Sequence, residues 1–451
     1  MLLKLINHVA LISIISYLLT RTKLYDDVVI KKKIELKHKL LLIVILGSFS
    51  IYGTVHGIKI NTAIANVRDL GPAIGGLIAG PLVGFGAGLI GAIHRFFLGG
   101  ITKYSCSIAT VVIGTISGLI YLAKKKKIVS LIQAVIIVVT LQMLHMGIVL
   151  VFGALHNQLA ETWGIVIRVF LPMTIANGVG MAIFMFISVN LVKERQTESE
   201  KEKMDHELEI AHDIQMGIIP KIFPPFPKRQ EFNLHAIIEP AKMVGGDLYD
   251  FFFLDENKLC LVIGDVSGKG VPASLFMAVT KTLVKAHATI NRTPAVILKE
   301  VNRELCEEND SAMFVTLFMA ILDTNTGKFE YCNAGHNSPY LIRSDGSYDK
   351  LEQTKGAALG VLPHSQFTTK TEQLTKMDKL FLYTDGVNEA MDSQGNQFSY
   401  SRMEKLFPSI KASTPSETIN FFLKNIKEFT YQAEQSDDIT MLVFQCTKNH
   451  E

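Results

Sequence analysis

The chain has 451 residues, too many for one ordinary domain, and a formal net charge of +3, too small to point to nucleic acid. Its five cysteines (Cys106, Cys260, Cys306, Cys332, Cys446) are scattered without a C-x-x-C pair. That argues against a zinc site or a disulfide framework and fits a reducing cytoplasm for the last four.

A mildly hydrophobic average hides two halves. Residues 1–192 are long runs of Leu, Ile, Val, Gly and Ala, and residues 193–451 have the charge density of a soluble protein. A bilayer core needs about 20 apolar residues per helix. Full-length candidates lie near 2–19, 40–58, 104–122, 128–152 and 164–192. The first lacks a small-x-small cleavage site and reads as a retained helix rather than a signal peptide. Leu70 to Leu98 is too long for one simple span and is broken by Pro72 and Pro81.

The basic stretches 21–39 and KKKK (124–127) both belong on the cytoplasmic side. An even number of crossings must separate them, so 70–98 divides into a short helix (70–79) and a longer one (81–98). Ten residues rise only about 15 Å, so the first piece is short or re-entrant. The N-terminus is then outside and residues 193–451 are inside. Gly76, Gly80, Gly84 and Gly88 recur every fourth residue, spacing that lets helices approach closely. Asn61, Asn66, Arg68 and Asp69 fall at the expected outer mouth, with His94 and Arg95 near the outer end of the next helix. Ionisable groups at membrane depth often mark sites, although at an interface they need no such role.

The stretch NVRDLGPAIGGLIAGPLVGFGAGLIGAIHRFFLGG (66–100) resembles the five-transmembrane receptor region of LytS-type sensor histidine kinases. The likeness spans roughly residues 1–192 and implies a membrane sensor module for an unknown small-molecule or envelope signal. That family's kinase output is absent here.

Residues 193–219 are charged, free of Pro and read as a helix. Met204, Leu208, Ala211, Gln215 and Ile218 follow coiled-coil spacing. Either this helix lies on the next domain or it pairs in a parallel homodimer that carries a signal. Pro220 stops it.

Beyond 230, short runs rich in β-branched and aromatic residues alternate with helical stretches near 272–291, 294–308, 401–408 and 415–429. This reads as an α+β domain over 221–451, with sheets packed together and helices outside. Acids gather where strands meet glycine-rich turns: Asp247 and Asp250 after Gly245-Gly246, Asp265 after LCLVIG, Asp385 after KLFLYT, and Asp437-Asp438 before ITMLVF. One such acid is usually a turn residue. Several carboxylates together repel one another unless a cation lies between them, and carboxylate oxygens suit Mg²⁺ and Mn²⁺.

GGDLY looks like the metal turn of diguanylate cyclases, but Leu248 stands where the second acid belongs, and that reading leaves Asp265, Asp385 and Asp437 without a role. The ordered elements GGDLYD, GDVSGKGVPASL, FVTLFMAILD, NAGHNSP, GAALGV, YTDGVNEA and SDDIT resemble the SpoIIE/RsbU-type PPM serine phosphatases over roughly 205–447. AHDIQMGIIP resembles the regulatory helix that precedes that family's catalytic core. The resemblance implies a PPM-type β-sandwich flanked by helices, with two Mn²⁺ or Mg²⁺ ions between the sheets. On this likeness Asp247 ligates the first metal and Asp265 bridges both. The Val266 carbonyl serves the second, and Asp385 and Asp437 complete the site. Asp437 is preferred to Asp438 as ligand. Asp250 and Gly246 shape the loop, Gly268 and Gly270 let the backbone bend, and His336 is more readily structural than catalytic.

The expectation is a multi-domain membrane protein: a polytopic helical bundle (1–192), a helical linker (193–220) and a cytoplasmic phosphatase domain (221–451). It would hydrolyse phosphoserine or phosphothreonine, by family likeness on a phosphorylated STAS-type anti-anti-sigma protein. A non-catalytic receptor and a transporter-like module with a regulatory tail are the other readings.

Overall fold

The computed structural model describes the chain apart from residues 1–9, 11–13, 15, 16, 34, 61, 62, 308 and 449–451. The helix expected over 2–19 falls largely outside the described residues, as does Asn61. The chain forms two compact units, Met1–Lys201 and Glu202–Glu451.

In the first unit the helices are α1 (Leu36–Val55), α2 (Leu70–Ala79), α3 (Pro81–Phe97), α4 (Lys103–Ala123), α5 (Leu131–Leu155) and the start of α6 (Leu159–Ile218). Four of them, α1, α4, α5 and α6, are long and apolar enough to cross a membrane. An unanticipated hairpin, β1 (Ile58–Ile60) with β2 (Ala63–Ala65), joins α1 to α2. The apolar stretch 70–98 divides as expected. Gly80 takes φ +93, open to glycine at little cost, and Pro81 then starts α3 with its ring-fixed φ.

The glycine row packs α2 and α3 on α4. A Cβ on Gly84 would sit 2.0 Å from the Gly114 carbonyl, and one on Gly76 2.6 Å from the same oxygen. Lys32 and Lys39 from the first basic stretch and Lys126 from the second line one cavity with Gly80 and Pro81. The two basic stretches therefore meet at one end of the bundle.

The last span and the charged linker form a single helix, α6, which runs unbroken from Leu159 to Ile218 and contains Pro172. Nothing in 193–219 breaks it, because charge changes solvation, not the i→i−4 ladder.

The second unit holds two antiparallel five-stranded sheets. One has the order β10 (Lys370–Gln373), β7 (Lys328–Ala334), β6 (Val315–Asp323), β5 (Lys258–Val266), β4 (Leu248–Phe253). The other runs β3 (Phe232–Glu239), β12 (Ile439–Cys446), β11 (Lys379–Tyr383), β8 (Tyr340–Ile342), β9 (Tyr348–Lys350). β5, β11 and β12 bury nearly every side chain, as strands covered on both faces must.

One apolar core unites Leu234 and Leu442 of one sheet with Leu261 and Leu317 of the other and reaches Met277 and Leu298 on helices α7 (Val271–His287) and α8 (Pro294–Cys306). A second core packs Phe381 and Val443 on Phe422 of α11 (Pro415–Thr430). The short helices α9 (Asp385–Asn388) and α10 (Ser399–Leu406) complete the unit.

Candidate metal centre

Strand polarity assembles the acids. In the antiparallel β4–β5 pair Leu248 faces Gly264, so Asp247, one residue before β4, meets Asp265 near the end of β5. In the other sheet Tyr383 faces Met441. Thr384-Asp385 leaving β11 and Asp437-Asp438 entering β12 therefore share one end.

Two hydrogen bonds tie the ends of the sheets together. Thr384 Oγ1 donates to Asp247 Oδ2 at 2.7 Å. The Gly246 N–H donates to Asp438 Oδ2 at 2.8 Å. The glycines make room for these contacts: a Cβ on Gly245 would fall 2.0 Å from Asp438 Oδ2, and one on Gly386 2.0 Å from the Asp438 carbonyl.

The two acids of SDDIT have different surroundings. Asp438 is buried, and its carboxylate accepts from the backbone N–H of Ala241, Gly246 and Asp247. Asp437 is half-buried and pairs with Lys269 Nζ at 3.0 Å. Asp438 is thus occupied in shaping the loop, and Asp437 keeps its carboxylate toward the rim.

The electrostatics favour a cation. Burial, reinforced by Asp265 and Asp438, raises the Asp247 carboxyl well above the ordinary range. Burial and then Asp385 and Asp437 push Asp265 up to about 7. Burial and Asp437 raise Asp385. Like charges this close retain protons unless a positive ion replaces them. The oxygen-only donor set suits a hard divalent cation.

Among the described residues, no three His, Cys, Asp or Glu side chains are already arranged to hold a metal ion. The carboxylates converge, but Thr384 and Lys269 occupy two of them. Glycine at 246 keeps the approach to the Val266 carbonyl uncovered, since a Cβ there would fall 2.7 Å from that oxygen. The donors, all oxygens, fit a hard divalent cation by type.

Other singled-out residues separate from the centre. Asp250 pairs with Lys281 of α7, both buried. His336 is buried with Nδ1 2.9 Å from Thr316 Oγ1, and that hydroxyl also reaches the Asp265 carbonyl. Burial lowers the His336 imidazole to about 4, which suits a neutral structural side chain. Gly268 and Gly270 take positive φ as the loop leaves β5.

Two contributors went unread in the sequence. Thr384 differs from any other turn threonine only by preceding Asp385. Gln215, on the stripe read either as a dimer seam or as a face lying on the next domain, is buried and hydrogen-bonded to Gly245, a partner that spacing does not name. The side of α6 bearing Leu208, Ala211 and Gln215 is partly covered, while Ile210 and Ile214 on a neighbouring stripe are exposed.

In the first unit, Asn66, Arg68, Asp69 and Arg95 are buried, and His94 is half-buried. Asp69 accepts from Thr110 Oγ1 at 2.8 Å and lies 2.5 Å from His145 Nδ1. Arg68 Nε donates to Thr110, while Arg68 Nη1 and Nη2 are buried without a partner among the described residues. A cavity of about 20 Å³ adjoins Arg68, Cys106 and His145, room for a single water.

Residues 255–447 match the family described as Stage II sporulation protein E (SpoIIE), and residues 22–190 match 5TMR of 5TMR-LYT. The chain is 31% identical to protein IcfG of Synechocystis sp. over 264 residues, covering 52% of this chain and 41% of IcfG. It is 28% identical over 277 residues to phosphoserine phosphatase RsbU of Bacillus subtilis, covering 60% of this chain and 80% of RsbU. It is 33% identical over 190 residues to sensor histidine kinase BtsS of Escherichia coli, covering 41% of this chain and 33% of BtsS.

Proposed function

Since the chain joins a 5TMR-LYT-type membrane region to a SpoIIE-type phosphatase domain, we propose that it is a membrane sensor whose second unit hydrolyses phosphoserine or phosphothreonine on a regulatory protein. By likeness to the RsbU type, that protein is a phosphorylated STAS-type anti-anti-sigma protein. The meeting of the two basic stretches at one end supports a cytoplasmic phosphatase unit and an outside N-terminus.

The observation that carries the reading is the convergence of Asp247, Asp265, Asp385 and Asp437, with proton affinity raised at the first three. These four, with the Val266 carbonyl, would hold two Mn²⁺ or Mg²⁺ ions. Such ions would supply Lewis-acid stabilisation of the phosphoryl oxygens and acidify a water. The chain's own residues prepare the site. Thr384 orients Asp247, Asp438 fixes the backbone of the Gly245-Gly246 turn, and the Lys269 ammonium stands at the rim where a phosphate dianion arrives.

In the membrane unit the signal is an unknown small molecule or envelope cue, and a water in the cavity beside Arg68 would give its partnerless nitrogens an acceptor. The alternative, a non-catalytic receptor, has in its favour that among the described residues no three ligand side chains stand ready for a metal.

The full-length chain in lipid nanodiscs, assayed with Mn²⁺ on p-nitrophenyl phosphate and on a phosphorylated STAS protein, decides between them. Asp265→Ala should lower kcat about 100-fold or more. Wild type and variant equally inactive at saturating metal would sink the enzyme reading and leave the receptor.

A further inference from the structure

The two basic stretches of the membrane unit converge on one cavity. Lys32 and Lys39 from the first and Lys126 from the second line a space of about 360 Å³ with Gly80, Leu82, Tyr121 and Leu122. No acid lines it. Among the described residues, none of these three ammonium groups has an ion-pair partner. Their neighbours differ: Lys31 pairs with Asp27 at 3.1 Å and Lys37 with Glu35 at 2.7 Å, and neither lines the cavity. Like charges gathered in one space repel unless an anion shares it. Tyr121 is 4% exposed, and its hydroxyl makes no hydrogen bond among the described residues.

The backbone adds to this. Lys32 and Lys126 take φ of +55 and +60, a left-handed region that lysine seldom enters. Lys126 closes the end of α4: its N–H donates to the Tyr121 carbonyl at 3.0 Å, and the Lys125 N–H donates to that of Leu122 at 2.9 Å. Glycine closes a helix in this way with least strain. Lysine near a span end also obeys the positive-inside rule. That rule asks for charge in the loop, not for convergence on one cavity, and Lys31 and Lys37 satisfy it from outside.

The cavity lies where spans begin and end. Lys39 is in the first turn of α1, Lys126 follows α4, and the start of α3 forms part of the wall. This is the level of lipid headgroups. The ends of α2 and α4 bring carbonyls and the start of α3 brings N–H groups, so the helix dipoles roughly offset and the lysines decide the sign. Leu82 and Leu122 in the wall are 48% and 45% exposed. The exposed apolar surface continues along α3 through Phe85 and Leu89 and along α4 through Leu119.

We propose that this cavity binds the headgroup phosphate of an anionic phospholipid. Lys32, Lys39 and Lys126 supply the counter-charge, Tyr121 a hydroxyl donor, and Leu82 and Leu122 the start of an acyl-chain path. A zwitterionic headgroup carries its own cation and leaves the three ammonium groups unmatched. A phosphate free in solution matches the charge but makes no use of the apolar wall. The site needs no phosphatase activity and would form on whichever membrane face it lies.

The full-length chain in a neutral detergent is titrated with phosphatidylglycerol, phosphatidylcholine and inorganic phosphate, and bound species are counted by native mass spectrometry. Wild type should prefer phosphatidylglycerol to phosphatidylcholine about tenfold or more at its first site. Lys32→Gln, Lys39→Gln and Lys126→Gln should each raise the phosphatidylglycerol dissociation constant about fivefold. Lys31→Gln and Lys37→Gln remove the same charge outside the cavity and should change it less than about twofold. Lys126→Gly separates binding from folding. It relieves the left-handed backbone, so it should melt no lower than wild type in lipid-free detergent, yet lose affinity as Lys126→Gln does.

Equal losses in all five glutamine variants would mean diffuse surface charge and overturn the proposal. So would equal uptake of the two lipids, or full affinity in Lys126→Gly. Inorganic phosphate binding as tightly as phosphatidylglycerol would make this a soluble-anion site and overturn the lipid assignment.

Discussion

Thr384 shows how one hydroxyl can serve two sheets. It donates to Asp247 and accepts from the Thr440 N–H at 3.1 Å. Thr384→Val removes both contacts at similar volume, and Mn²⁺ affinity should fall about 10- to 100-fold by calorimetry. An unchanged affinity would mean that Asp247 is held by its backbone alone. His336 gives a pH signature of the opposite kind, in stability and not in the site. Burial lowers its pKa from 6.5 to about 4, so the unfolded chain takes up a proton that the folded chain refuses. The resulting penalty is absent above pH 6.5, grows as pH falls toward 4, and is constant below that. It amounts to about 3 kcal/mol at most. In thermal unfolding of the second unit within the full chain, His336→Asn should flatten the loss of stability between about pH 6.5 and 4. Parallel curves for wild type and variant would contradict it.

Among the helices, one of the tightest backbone contacts is glycine on glycine. Gly84 and Gly114 each place a would-be Cβ within 2.1 Å of the other's carbonyl oxygen. Gly84→Ala must push α3 from α4 and should destabilise the bundle by about 1–3 kcal/mol. Thermal denaturation in detergent reads this, and an unshifted midpoint would mean that the helices separate freely. This contact was legible beforehand because small residues four apart repeat through 76–88. The acids were legible for a related reason: each sits where an apolar run gives way to a turn, a local signal. Thr384, Gln215 and His145 were not legible. Their partners lie 137, 30 and 76 residues away, and no local pattern encodes those pairings. The short strands β9 and β10 escaped because three or four mostly exposed residues carry no usable alternation.

At the scale of the whole molecule, the charged part of α6 carries Ile210 and Ile214 exposed at 48% and 62%, beside Met204 and Ile218, which are also exposed. The proposed homodimer should use this stripe rather than the seam through Gln215. Ile214→Cys should cross-link under mild oxidation in native membranes, and Gln215→Cys should not. Equal cross-linking at both positions would restore the original seam, and none at either would argue for a monomer. The sheets give this a counterpart. β9 is three exposed residues bearing Asp349 and Lys350, and β10 is four bearing Lys370 and Glu372. Edges so short and charged give another chain little backbone to add to. A protein confined to a membrane plane meets its own copies at high local density. Such edges then guard one side of each sheet against pairing with a neighbouring copy, while the longer β3 and β4 close the other sides.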